Sequence, residues 1–126
     1  MPIYQGGCHC GRVKFEVEAT PTHLSQCNCS ICSAKGALYI PAREIQAFRI
    51  LAGEAELVAY QFNTRTATHY FCKHCGIHTF HHPRMNPALW SVNARTVKDV
   101  GLLSLPRREF DGQNWEEAAR KGGWIK

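Results

Sequence analysis

Residues 27–32 read Cys-Asn-Cys-Ser-Ile-Cys, so three thiols fall within six residues. Neighbours at this spacing form a disulfide only with strain, because a bridge needs Cα atoms roughly 4.4–6.8 Å apart and matching Cβ directions. The same thiols can easily face one metal ion. A Zn²⁺ ion with three protein ligands keeps a fourth position open, which distinguishes a catalytic zinc from a structural one. The stretch therefore predicts a catalytic zinc held by Cys27, Cys29 and Cys32.

The other four cysteines form two pairs, and a glycine follows each pair. The pairs stand in Cys8-His9-Cys10-Gly11 and in Cys72-Lys73-His74-Cys75-Gly76. Neither pair completes a tetrahedral site alone, but together they supply the four thiolates of a closed structural zinc site. An ion joining segments about sixty residues apart would stabilise the fold by roughly 4 kcal/mol in the chain-entropy description of cross-links. The alternative is that the two pairs are unrelated buried thiols.

The totals predict one domain over residues 1–126, since 126 residues with 44% hydrophobic side chains suffice for a single modest core. Seven cysteines is an odd number for a disulfide scaffold, and the N-terminus lacks the charged and apolar regions of a signal peptide. No apolar run reaches the roughly 18 residues of a membrane span. We therefore expect a cytoplasmic protein without a membrane partner, whose clustered cysteines bind metal.

The net charge gives little support to a nucleic-acid partner. The formal value of +5 counts every cysteine as neutral. Metal-bound cysteines are thiolates, and seven thiolates with two Zn²⁺ ions would reduce the charge to about +2. The basic residues are also scattered, apart from Arg107-Arg108 and Arg120-Lys121. A solvated surface is the better interpretation, and a small anionic substrate remains compatible with it.

Short segments rich in β-favouring residues predict a mainly β domain. Val13, Phe15 and Val17 alternate with polar residues, which predicts a strand with one buried face. Further strands are expected at 24–29, 37–41, 47–51, 57–62, 66–71, 77–81 and 89–93. A helical turn is expected at 30–35 with Ser30 as its cap, a hairpin turn at Asn63-Thr64, irregular chain after Val100, and a short helix at 115–120.

Three other interpretations of the triple-cysteine stretch stay open. A histidine from elsewhere would close the site and make it structural; the candidates are His23, His69, His74, His78, His81 and His82. An iron–sulfur cluster usually takes four cysteines, and only three are close here. Cys29 and Cys32 also have the C-x-x-C spacing of a redox pair, without the βαβ context that such a pair normally has.

An open zinc with three thiolate ligands predicts sulfur chemistry. Zn²⁺ polarises carbonyls and lowers the pKa of what it binds. Three thiolates already donate strongly to the metal, which favours a soft thiol over water as the fourth ligand. The site therefore suits making or breaking a carbon–sulfur bond, as when a thiol adds to an aldehyde.

The three cysteine motifs resemble one known family. Gly7-Cys8-His9-Cys10-Gly11, then residues 27–32, then Phe71-Cys72-Lys73-His74-Cys75-Gly76 are similar to the glutathione-dependent formaldehyde-activating enzymes, a family that includes centromere protein V. The motifs span residues 7–76, and the strand pattern extends the likeness to about Asn93. The resemblance implies a β-tent of small antiparallel sheets, a structural zinc on Cys8, Cys10, Cys72 and Cys75, and a second, more labile zinc on Cys27, Cys29 and Cys32.

The resemblance also implies an activity. The family's named reaction condenses formaldehyde with glutathione to S-hydroxymethylglutathione, so the resemblance implies a carbon–sulfur lyase with a small thiol as its partner. Lys35 and Arg43 are near the triple-cysteine stretch in sequence and are candidates to meet a substrate carboxylate; the alternative, which we favour, is that both are solvated surface charges. The alternative function is a zinc-stabilised binding module without catalysis, which would contact a protein or a nucleic acid through its β surface.

Overall fold

A three-stranded sheet and a seven-stranded sheet hold the strands that the computed structural model describes, over residues 2–62 and 65–122. The strands are β1 (Ile3–Gly7), β2 (Lys14–Ala19), β3 (Leu24–Cys27), β4 (Tyr39–Ile40), β5 (Ile45–Ala52), β6 (Leu57–Tyr60), β7 (Thr68–Cys72), β8 (His78–His82), β9 (Ser91–Asn93) and β10 (Arg107–Phe110). Two short helices are α1 (Ser30–Lys35) and α2 (Trp115–Lys121). The smaller sheet has the order β1-β2-β5, and the larger has the order β10-β3-β4-β9-β8-β7-β6. The prediction of a mainly β fold with small sheets is confirmed.

Aromatic side chains fill the space between the two sheets. Phe15 on β2 is fully buried, and its ring lies 5.7 Å from the ring of Phe80 on β8 in an edge-on arrangement. Phe48 on β5 and Trp90 extend this contact, with ring centroids 4.7 Å apart. Val13, Phe15 and Val17 are all fully buried, as their alternation predicts. Burial of these rings is the main stabilising term of the sheet pair, because aromatic side chains remove large apolar areas from water.

Two strands escape prediction from the sequence. β1 contains a Gly-Gly pair, which is a poor strand signal, and it pairs antiparallel with β2. β10 reads Arg-Arg-Glu-Phe, lies mostly exposed, and pairs in parallel with β3. Its charged residues suit an edge strand, but they hide the alternation on which a strand prediction depends. The irregular chain expected after Val100 is therefore wrong at this strand, and the larger sheet contains one parallel pair.

The helix predictions are correct in position and wrong in one detail. Cys29, not Ser30, occupies the N-cap position of α1, and no side chain caps it. The helix ends at Gly36, which takes φ 63° and donates its N–H to the carbonyls of Cys32 and Ser33. α2 matches the helix predicted at 115–120. The hairpin predicted at Asn63-Thr64 lies outside the described residues.

Within the part of the chain that the structure describes, no helix has both the length and the apolar character that a membrane crossing requires.

Candidate metal centres

The four-cysteine group, Cys8, Cys10, Cys72 and Cys75, lies where the two sheets meet. Its members come from the loop between β1 and β2 and from the end of β7 with the turn that follows. All four sulfurs lie within 4.8 Å of one another; Cys8 and Cys10 are 3.5 Å apart, and Cys10 and Cys72 are 3.6 Å apart. Sulfurs that share a tetrahedral zinc through bonds of 2.3 Å are about 3.8 Å apart. The spacing fits one zinc ion.

Backbone N–H groups turn towards these sulfurs, as short metal-binding turns require. Val13 donates to the Cys8 sulfur at 3.2 Å, and His74 donates to the Cys72 sulfur at 3.4 Å. Hydrogen bonds from the backbone and side chain of Arg12 lower the pKa of Cys10 to about 6. Both effects favour the thiolate, which is the form that binds a metal.

The three-cysteine group, Cys27, Cys29 and Cys32, lies at the end of β3 and in the first turns of α1. The three sulfurs lie within 4.8 Å of one another, and the Cys29 N–H points to the Cys27 sulfur at 3.4 Å. Hydrogen bonds from the Cys27 and Cys32 thiols hold the pKa of Cys29 far below its usual range. Among residues 2–62 and 65–122, no histidine nitrogen joins this group within 4.8 Å.

The segment after β10 holds the loop of the three-cysteine group in place. The side-chain amide of Asn28 makes two hydrogen bonds to this segment. Its NH₂ group donates to the Asp111 carboxylate at 3.0 Å, and its oxygen accepts from the backbone N–H of Gln113 at 3.1 Å. Gly112 packs so closely that a Cβ there would lie 2.5 Å from the Cys27 sulfur. The sequence predicts only irregular chain for this segment. Its role depends on the parallel pairing of β10, which no local pattern indicates.

A cavity of about 880 Å³ opens beside the three-cysteine group. All three cysteines line it, together with charged side chains from several elements: Arg43, Glu44, Arg84, Arg108 and Glu109. The guanidinium of Arg84 lies 3.9 Å from the centre of the Trp115 ring, so α2 forms part of the wall. Sites that enclose small organic ligands usually measure roughly 300–1,000 Å³. The cavity therefore has room for a molecule the size of a tripeptide.

The two basic residues named from the sequence reach different places. Arg43 lines the cavity and donates to the Gly122 carbonyl at 3.4 Å. The Lys35 ammonium instead lies 3.0 Å from Nδ1 of His69. Burial lowers the pKa of Lys35 to about 8. Arg43 remains a candidate to meet a substrate carboxylate, whereas Lys35 faces a group of histidines.

The histidine cluster, His69, His78 and His81, borders the cavity. All three side chains are buried, and His69 and His81 line the cavity. Burial lowers the pKa of His69 to about 4 and that of His78 to about 3, so the rings are neutral at pH 7. Tyr39 lies between this cluster and the cysteines. Its hydroxyl is 3.5 Å from the Cys32 sulfur and 3.5 Å from Nε2 of His78.

A bulge in β8 brings the cluster to one face. His78 and His81 are three residues apart, and in a regular strand they would point to opposite faces. The register pairs Phe80 with Tyr70 but His78 with Phe71, which leaves Thr79 as an extra residue. The bulge returns His78 to the side of His81. The sequence names these histidines only as candidate fourth ligands, because a bulge carries no signal in this stretch.

Residues 3–113 match the model of the glutathione-dependent formaldehyde-activating enzyme family, and the chain belongs to this family. The family resemblance stated from the cysteine motifs is thereby confirmed. A crystal structure of a Rhodobacter sphaeroides protein is similar as well, with 37% sequence identity over 82% of this chain and 99% of that chain, and a TM-score of 0.69. Membership supports an enzyme whose activity involves glutathione and formaldehyde in general terms.

Proposed function

We propose that the protein is a zinc-dependent carbon–sulfur lyase that joins a small thiol such as glutathione to formaldehyde and reverses that reaction. One observation carries the proposal: three thiols that can bind one ion line a cavity large enough for a tripeptide. The four-cysteine group lines no part of that cavity. We assign the three-cysteine group to a catalytic zinc and the four-cysteine group to a structural zinc.

The donor set fits zinc at both places. Thiolate sulfur is a soft ligand, which binds Zn²⁺ in preference to Mg²⁺ or Ca²⁺. Four such sulfurs complete a structural zinc site. When zinc is bound by the three cysteines, it supplies Lewis acidity, which lowers the pKa of a thiol and polarises a carbonyl. Three protein sulfurs leave one position of a tetrahedral ion for the substrate.

The reaction balances without an oxidant or a reductant. The thiol sulfur forms a bond to the formaldehyde carbon, the carbonyl π pair becomes a lone pair on oxygen, and the thiol proton ends on that oxygen. The protein must therefore orient a thiol and supply a proton near the carbonyl. Burial raises the pKa of Tyr39 well above its usual value, so its hydroxyl stays protonated. That hydroxyl lies 3.5 Å from the Cys32 sulfur and can donate a hydrogen bond at the reacting centre.

The cavity wall supplies charges that match a tripeptide with two carboxylates and one ammonium group. Arg43, Arg84 and Arg108 line it as cations, and Glu44 and Glu109 line it as anions. Guanidinium groups bind carboxylates in a forked geometry that fixes orientation as well as position. We infer that these side chains place the substrate so that its thiol reaches the three-cysteine group.

The test measures exchange between free and thiol-bound ¹³C-formaldehyde by magnetisation-transfer NMR, with glutathione and zinc-loaded protein. We expect exchange faster than the spontaneous reaction, and a loss of at least about 100-fold in the Cys29→Ser variant, because even outer-shell partners of metal ligands contribute about 10- to 100-fold and Cys29 would bind the ion directly. Ser33→Ala, on the exposed side of α1, is the matched control and should keep full activity.

The proposal fails if zinc-loaded protein leaves the exchange rate at the spontaneous value. The measurement should be repeated with cysteine and with a longer thiol peptide. Acceleration with one of these and not with glutathione would keep the lyase chemistry and replace the substrate.

A further inference from the structure

We propose that the histidine cluster is a third metal site, which binds a first-row divalent transition ion through the imidazoles of His69, His78 and His81. The ligand nitrogens of the three rings lie within 4.8 Å of one another, and none of the seven cysteines belongs to the cluster. Imidazole suits Zn²⁺, Cu²⁺ and Ni²⁺, whereas Mg²⁺ and Ca²⁺ prefer oxygen ligands. This site goes beyond the lyase activity proposed above.

The ring spacing matches that of imidazoles around one ion. Three rings that share a tetrahedral ion through bonds of 2.0–2.1 Å have centroids roughly 5 Å apart. The centroid of His69 is 5.0 Å from that of His81, and the centroid of His78 is 5.8 Å and 5.7 Å from those of the other two. The rings of His69 and His81 are nearly parallel, 13° apart, so binding requires a rotation of these rings as well as a movement of less than an ångström at His78.

Hydrogen bonding leaves nitrogen atoms available within the cluster. Nδ1 of His78 lies 2.8 Å from the Tyr70 carbonyl, so this nitrogen carries the proton and donates. Nε2 keeps its lone pair, which accepts only a long hydrogen bond of 3.5 Å from the Tyr39 hydroxyl, and an ion would replace that bond. A backbone carbonyl commonly orients a metal-binding histidine in this way. Among the residues that the structure describes, none forms a hydrogen bond with the buried Nδ1 of His81, a residue only 7% exposed. A buried polar atom without a partner destabilises the fold, and a bound ion would offset this cost.

Aromatic packing alone does not account for these residues. The rings contact Tyr39 and Phe62, and a phenylalanine at position 81 would pack in the same place without an unpaired nitrogen. The bulge at Thr79 also costs ladder hydrogen bonds, and its effect is to turn His78 towards the other two. An ion has a route to the cluster, because His69 and His81 line the cavity.

A charged side chain, Lys35, faces the cluster. Its ammonium lies 3.0 Å from Nδ1 of His69 and would repel a divalent ion. Lys35 is the last residue of α1 and has a long, flexible side chain, so it can withdraw when an ion binds. Removal of this charge should therefore strengthen metal binding, which gives the proposal a variant that gains function.

The decisive measurement uses the wild-type protein. Zn²⁺ is titrated at pH 7 into ¹⁵N-labelled protein that already holds zinc at both cysteine groups, and the ring nitrogens are followed in long-range ¹H–¹⁵N spectra. We expect the ¹⁵N resonance of one nitrogen in each ring of the cluster to shift, and the three resonances to shift together. The shifts should saturate when one equivalent of Zn²⁺ has bound in addition to the ions at the two cysteine groups. The proposal is overturned if all three rings keep their spectra when Zn²⁺ is in excess over both cysteine groups.

Two variants and a control sharpen the result. His69→Gln should bind one Zn²⁺ fewer than the wild type by equilibrium dialysis. His23→Gln, which alters a histidine on the same cavity outside the cluster, should bind the full number. Lys35→Met should bind the additional ion about tenfold more tightly, because a like charge has been removed. Equal stoichiometry in the wild type and His69→Gln, with both proteins folded by circular dichroism, would contradict the proposal.

Discussion

The four-cysteine group and the three-cysteine group use the same donor atom in different surroundings. The first joins the two sheets: Cys10 follows a strand of the smaller sheet, and Cys72 ends a strand of the larger one. These two residues are 62 positions apart along the chain. The second comes from six consecutive residues and lines a cavity. Both groups combine buried members, such as Cys72 and Cys32, with more exposed ones, such as Cys10 and Cys29, so the groups differ in span and position rather than in burial.

This contrast separates the stabilising role from the reactive one. A cross-link between distant segments restricts the unfolded chain strongly, so an ion at the four-cysteine group would contribute mainly to folding. A local cluster restricts few residues, so an ion at the three-cysteine group would contribute little to stability. Its position beside the cavity makes it the group that a substrate can reach. The predictions below test this separation, in order of expected effect.

The largest difference should appear between Cys72→Ser and Cys29→Ser. The first removes a buried ligand of the cross-link and should cost about 4 kcal/mol, enough to unfold much of a small domain at 37 °C. The second should keep the fold. Thermal unfolding followed by circular dichroism, with zinc present, measures both; equal losses of Tm would remove the distinction between the groups.

A moderate effect is expected from Gly112→Ala. The added Cβ would lie 2.5 Å from the Cys27 sulfur and 2.7 Å from Cβ of Cys29, so the segment after β10 must move away. We expect zinc affinity at the three-cysteine group to fall about 10- to 100-fold, as for other losses of ligand support. Competition with a chromophoric chelator gives the affinity.

The control for this variant is Ser33→Ala, which should leave the affinity unchanged. If Gly112→Ala instead lowers Tm as far as Cys72→Ser does, the three-cysteine group is a structural centre and the comparison fails.

The smallest effect concerns Glu56, which braces the turn of the four-cysteine group. Its carboxylate lies 2.6 Å from Nε2 of His74 and 3.2 Å from the Lys73 ammonium. The hydrogen bond from His74, and then that from Lys73, lower the pKa of Glu56 below its ordinary value of 4.5. A carboxyl whose pKa is depressed in the folded state stabilises the fold above that ordinary value and loses the contribution as the pH falls further.

Glu56→Gln should therefore lower Tm by only a few degrees at pH 6, because exposed ion pairs contribute little. The difference from the wild type should shrink as the pH falls below 4.5. Thermal unfolding between pH 6 and pH 3 measures this difference in Tm. Glu54→Gln, two residues before Glu56, is the control. A difference that grows towards acid would show that the sign of the pKa shift is wrong.

The sequence alone determined the chemical groups and the periodic elements. Cysteine spacing is a local property, and it predicted the members of both sulfur groups. The structure brings the sulfurs of each group within 4.8 Å of one another. Alternation at Val13, Phe15 and Val17 predicted the buried face of β2, because side chains on a strand alternate between core and solvent. The same cysteine motifs indicated the family, which the match over residues 3–113 confirms.

Tertiary structure decided everything that depends on long-range pairing. β10 becomes a strand only because β3 offers it an edge, and this pairing places Gly112 against Cys27. The bulge at Thr79 arises from the register between β7 and β8, and it alone brings His78 beside His81. Register and parallel edge pairing are set by contacts between segments far apart in the chain. A local sequence pattern therefore has no means to encode the cavity or the histidine cluster.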